Sequence, residues 1–134
     1  MPSVKTETLP IRSDNDIVVI RKAVRTWAVE LGFGLVDQTK LITAASELAR
    51  NTLVYGGGGS VQMELLTEPR RKGVRLTFED QGPGIADIEQ ALRDGFTTGQ
   101  GMGLGLGGSR RLVNEFEITS RVGEGTRVAI TKWK

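Results

Sequence analysis

The chain has 134 residues, 38% of them apolar and 25% charged, with a formal net charge of +2, which fits one domain over residues 1–134 able to bury a core unaided. It contains no cysteine and no histidine, so disulfides, thiolate chemistry, a Ser-His-Asp triad and most zinc sites are excluded. There is no apolar signal core and no membrane-length stretch, and the basic runs at 70–72 and 110–111 are short and far apart, so a cytoplasmic protein with neither nucleic-acid nor membrane partners is expected.

Residues 4–12, VKTETLPIR, alternate loosely and read as an edge strand, the position that tolerates Pro10. Ser13 or Asp14 can cap a helix running to about Leu31, with Ile17, Ile20, Val24, Trp27, Ala28 and Leu31 recurring at spacings of three and four. The glycines of GFG (32–34) end it, because glycine adopts positive φ freely. A second helix is predicted from about Asp37 to Tyr55, with Leu41, Ala44, Ala45, Leu48, Ala49 and Thr52 facing inward, and GGGG (56–59) stops it. SVQMELLTE (60–68) and GVRLTFED (73–80) form a hairpin around 69–72, its basic tip solvated. A short helix lies within 85–95, and another runs from about Gly107 to Asn114. EFEITSRV and TRVAITKW close the chain as a second hairpin around GEG (123–125). Neighbouring strand pairs predict an α/β two-layer sandwich, with a mixed, mostly antiparallel sheet and helices on one face.

The segment GQGMGLGLGG (99–108) places glycine at six of ten positions. Interleaved Met102, Leu104 and Leu106 are unlike a flexible linker. Gly103-x-Gly105-x-x-Gly108 matches a dinucleotide fingerprint literally, but no buried strand precedes it, and a Walker A loop fails for want of any Gly-Lys pair. Bare glycine amides leading into a helix make an anion cradle, with phosphate the natural guest and the leucines a hinged cover. Arg110 and Arg111, placed just inside that helix, would oppose its dipole and so suggest an anionic neighbour, although solvent exposure explains them too.

Two further constellations carry chemistry. Glu47 and Asn51 in SELARN are four residues apart and share a helix face. The amide oxygen suits Mg²⁺, and the carboxylate can accept a proton from a hydroxyl, a combination that phosphoryl transfer requires. Asp80, at a strand end, is followed by Gly82 and Gly84 in DQGPG. A turn is the plain reading, yet an acceptor-only carboxylate flanked by glycines can take the amino hydrogens of an adenine. GEGT (123–126) reads as a two-residue hairpin turn, from which the Thr126 hydroxyl can point back to Asp80.

In order and spacing, E-x-x-x-N, D-x-G-x-G, G-x-G-x-G and G-x-G-T resemble the GHKL (Bergerat-fold) ATP-binding superfamily of DNA gyrase B, Hsp90, histidine kinases and MutL. Within it the chain is similar to RsbT-type serine/threonine switch kinases of the bacterial stressosome, through ELGFG, SELARN, EDQGPGI, DGF and GEGT. The resemblance implies ATP and Mg²⁺ as cofactors, Glu47 as general base, Asn51 as metal ligand and Asp80 as the adenine contact. Gly82 and Gly84 would shape the base pocket, Gly101, Gly103, Gly105 and Gly107 would form the lid and phosphate loop, and Thr126 would support the adenine contact. It also implies STAS-domain scaffold and antagonist proteins as substrates and a PP2C-type phosphatase as downstream partner. A nucleotide-dependent binding switch and a stand-alone ATPase are the alternatives. The chain departs from histidine kinases in having no phosphoacceptor histidine.

Overall fold

The computed structural model describes residues 3–85, 87–92 and 105–134. Strand β1 (Ser3–Ile11) leads into helices α1 (Asp14–Leu31) and α2 (Leu35–Val54). The hairpin of β2 (Gly59–Glu68) and β3 (Arg71–Asp80) follows, then the short helices α3 (Ile88–Ala91) and α4 (Gly105–Arg111), and finally β4 (Glu115–Arg121) and β5 (Gly125–Trp133). The strands form one sheet in the order β1-β2-β3-β5-β4. Its four described pairings are all antiparallel, in line with the mostly antiparallel sheet expected, and no parallel pair occurs among the described residues. β1 is an edge strand, and there Pro10 leaves no internal ladder position without a donor.

Alternation in the central strands selects one face for burial. Val61 and Met63 of β2, Val74, Leu76 and Phe78 of β3, and Val128 and Ile130 of β5 join the helices in one core. Ile17, Ile20, Val24, Trp27 and Ala28 of α1 are buried, and the expected α2 stripe is buried throughout, with Ile42 added. The opposite sheet face carries polar pairs instead. Arg75 Nε and Nη2 reach the two Glu64 oxygens at 2.9 and 3.0 Å, and this bidentate contact holds the guanidinium protonated more firmly than usual, outweighing its partial burial.

Local chemistry sets the boundaries. Ser13 caps α1, and Gly32 ends it at φ 85. Arg71 and Lys72 belong to β3 rather than to the hairpin turn, which is confined to residues 69–70. Arg71 instead pairs with Glu68 at 2.7 Å and stacks on the Trp133 ring at 3.7 Å from its centroid. Arg110 and Arg111 lie in the last turn of α4, not its first. The helix begins two residues earlier than predicted and ends at Arg111, so both cations complement its dipole rather than oppose it. Three residues, 122–124, separate the register pair Arg121 and Gly125, so the second hairpin has a three-residue loop rather than two. No described helix is long and apolar enough to cross a membrane.

Candidate functional site

Asp80 is the last residue of β3, its side chain on the helix-covered face in line with Val74, Leu76 and Phe78, and it is only 8% exposed. Burial of a carboxylate requires compensating donors. Asp80 Oδ1 accepts from the Gly82 N–H at 2.9 Å and from the Thr126 N–H at 3.2 Å. Oδ2 lies beside Gly56, where a Cβ would come within 2.5 Å of it and within 2.3 Å of Asp80 Cγ. Gly56 follows directly on the end of α2, its N–H donating to the Asn51 carbonyl at 3.2 Å. The end of the helix that carries Asn51 is thus seated on the aspartate.

The glycines of DQGPG fix the other wall. A Cβ on Gly82 would meet the Gly56 backbone, with its Cα at 2.7 Å. Gly84 adopts φ 78, and a Cβ there would lie 2.0 Å from the Arg121 carbonyl oxygen. The loop is fastened to the second hairpin by Gly123 N–H to Pro83 O at 2.8 Å and by Ile85 N–H to Ser120 Oγ at 2.7 Å. The Thr126 hydroxyl sits 2.8 Å from Ser120 Oγ. It is the Thr126 backbone N–H, not the expected hydroxyl, that reaches Asp80.

Glu47 and Asn51 lie one turn apart on α2, both half-buried, so their shared face is neither core nor fully solvated. α4 packs on the same helix. Gly105 is its first residue, and Gly107 falls in its first turn, buried. Gly101 and Gly103 lie outside the described residues, as do Thr97, Thr98 and Gln100. The structure therefore brings Asn51, Asp80, Gly82, Gly84 and Thr126 to one end of the fold, with Glu47 a turn further along α2.

Two contributors escaped the sequence reading. Ser120 is the cross-strand partner of Thr126 and the hub between the DQGPG loop and the hairpin. Gly56 reads only as a helix stop, although it is the residue that touches Asp80. A signal existed for Ser120, since a hydroxyl a few residues before Thr126 across a short loop becomes its cross-strand polar partner in the observed register. For Gly56 there was none, because contact across 24 positions leaves no local pattern.

Chemically, the arrangement is a buried acceptor with a flat glycine wall, next to a helix face bearing a neutral oxygen and a carboxylate. Residues 36–134 match the family described as "Histidine kinase-, DNA gyrase B-, and HSP90-like ATPase". The chain is 47% identical over 123 residues to the serine/threonine-protein kinase RsbT of Bacillus subtilis (strain 168), covering 92% of each. It is 30% identical over 118 residues to an anti-sigma F factor of Thermoanaerobacter sp. (strain X514), covering 84% of this chain and 82% of that protein. A crystal structure of the RsbU and RsbW domains of Rv1364c from Mycobacterium tuberculosis superposes with a TM-score of 0.67 over 98% of this chain and 33% of the other, at 21% identity. The family match from α2 to the last strand, on an antiparallel sheet covered by helices, places this chain among the histidine kinase-, gyrase B- and Hsp90-like ATPases, with RsbT-type serine/threonine kinases as its relatives.

Proposed function

We infer that this chain binds ATP between α2, the DQGPG loop and α4, and transfers its terminal phosphoryl group to a serine or threonine of a partner protein. The observation that carries the reading is the seat of Gly56 on Asp80, which joins the Glu47–Asn51 helix to a buried acceptor. Asp80 Oδ1 is engaged by two backbone donors, and Oδ2 would accept from the exocyclic amine of adenine. Gly82, with no side chain to stand off the ring, would let the base lie flat against the backbone. Thr126 supports this contact by orienting the carboxylate through its N–H.

The donor set also suits Mg²⁺ at Asn51. Among the described residues no group of three or more carboxylates is positioned to hold a metal, whereas Mg²⁺ with ATP needs few protein ligands and takes the rest from phosphate and water. When bound it would neutralise triphosphate charge. Glu47, one turn away, would take the proton of the acceptor hydroxyl. Gly101, Gly103, Gly105 and Gly107 would supply the phosphate-facing loop and its cover.

The acceptors are STAS-domain scaffold and antagonist proteins of a stressosome-type partner switch, and the released kinase binds and activates a PP2C-type phosphatase. The similarity to RsbT and to anti-sigma factors supports this reading. Incubation with labelled ATP, Mg²⁺ and a recombinant STAS-domain protein tests it. Transfer is expected for the wild type, and Glu47→Gln should lower its rate by roughly 10²–10⁴-fold with ATP binding retained. Transfer unchanged in that variant would remove Glu47 from the mechanism.

A further inference from the structure

Glu47 lies near the middle of α2, half-buried, one turn from Asn51 and beside an exposed stripe of the same helix. At 100° per residue, Val36, Lys40, Thr43, Arg50 and Val54 fall within about 60° of its direction, most of them on the side away from Asn51 and the fully buried Ala44, so Glu47 stands between the exposed stripe and the half-buried face. Val36 is 67% exposed and Val54 47%, and Lys40 and Arg50 are exposed. The stripe is apolar at its two ends, basic on both sides of the carboxylate, and about 27 Å long, the span of a standard protein interface. α2 has only one other carboxylate, Asp37, and it faces the sheet side, 3.5 Å from Lys132 Nζ.

We propose that this outer stripe of α2 is the docking surface for the acceptor protein, with Val36 and Val54 as apolar anchors and Lys40 and Arg50 pairing with carboxylates that flank the phosphorylated hydroxyl. The inference rests on the assignment of Glu47 as the base. A protein-borne hydroxyl reaches that carboxylate only if its carrier lies across the helix. The residues the carrier then covers are those named. Their charge selects an acidic surface around the acceptor hydroxyl.

The test uses the full chain with a recombinant STAS-domain acceptor, measuring steady-state transfer and, with a non-hydrolysable ATP analogue, calorimetric binding. Lys40→Glu and Val36→Asp should each raise the KM for the acceptor about tenfold, with kcat and the KM for ATP within about twofold of wild type. The ATP-induced shift in melting temperature reports that the variants are folded; should Val36→Asp fail to fold, Val36→Ser takes its place. Replacing an acidic residue beside the acceptor hydroxyl by lysine should restore affinity for Lys40→Glu.

Acceptor KM and affinity unchanged in both variants would overturn the proposal. Acceptor binding that depends on Lys40 but leads to no phosphoryl transfer would leave the docking surface standing and remove the kinase reading. Transfer with unaltered KM would do the reverse.

Discussion

Close packing at Gly56 decides how Asp80 is held. A Cβ there would overlap Asp80 Cγ at 2.3 Å, so Gly56→Ala must displace either the carboxylate or the end of α2. We expect a loss of roughly 1–3 kcal/mol in urea unfolding, together with loss of the ATP-induced melting shift. Gly57 is the control, with φ 73 and open space around it. Gly57→Ala should cost about 1 kcal/mol from its left-handed backbone alone and leave ATP binding intact. Asp80→Asn keeps the acceptor for Gly82 and Thr126 if Oδ1 stays in place, but sets a donor against the adenine amine. ATP affinity should fall by about 10–100-fold with little change in stability. At this scale the sequence displayed Asp80, Asn51 and Glu47 through their motifs. It could not display Gly56, whose role arises from a contact between segments distant along the chain, and the polar pairing of Ser120 with Thr126 was there to be read but was missed.

Among the elements, α1 shows what local chemistry settles. Asp16 Oδ2 accepts the Arg12 N–H at 2.8 Å, whereas Ser13 Oγ accepts the Asp16 N–H at 3.4 Å. The shorter bond is charge-assisted, so Asp16→Ala should destabilise by about 1 kcal/mol and Ser13→Ala by about 0.5 kcal/mol, read from urea midpoints at constant m. Apolar spacing gave the inward faces of α1 and α2 almost residue for residue. The bounds of α4 were not legible, because a glycine-rich stretch has poor helix propensity. That helix depends on packing against α2, where Leu106 and Ser109 are buried. The loop of the second hairpin was read one residue short. Gly123 and Gly125 both take positive φ, a pattern that two-residue and three-residue loops share in sequence.

Across the whole molecule, one core joins the four described helices to one face of an antiparallel sheet. Phe78 is fully buried at its centre strand, and Phe78→Ala should cost about 3–5 kcal/mol in global stability. A ligand that binds only the folded chain adds to the same equilibrium. ADP with Mg²⁺ at a hundredfold excess over its Kd should contribute about 2.7 kcal/mol. Calorimetry should show a clear rise in melting temperature with ADP–Mg²⁺ and none with a nicotinamide dinucleotide. The layer arrangement was legible from paired strands and periodic helices. That every pairing is antiparallel was not, since β5 reaches β3 past α3, α4 and β4.

The final strand holds α2 in place at both ends. Thr126 binds the aspartate on which the helix terminates, and Lys132 pairs with Asp37 near its beginning. A chain still being synthesised therefore completes α2 long before it has the strand that fastens it. Both fastenings arrive together, when residues 125–133 clear the ribosome.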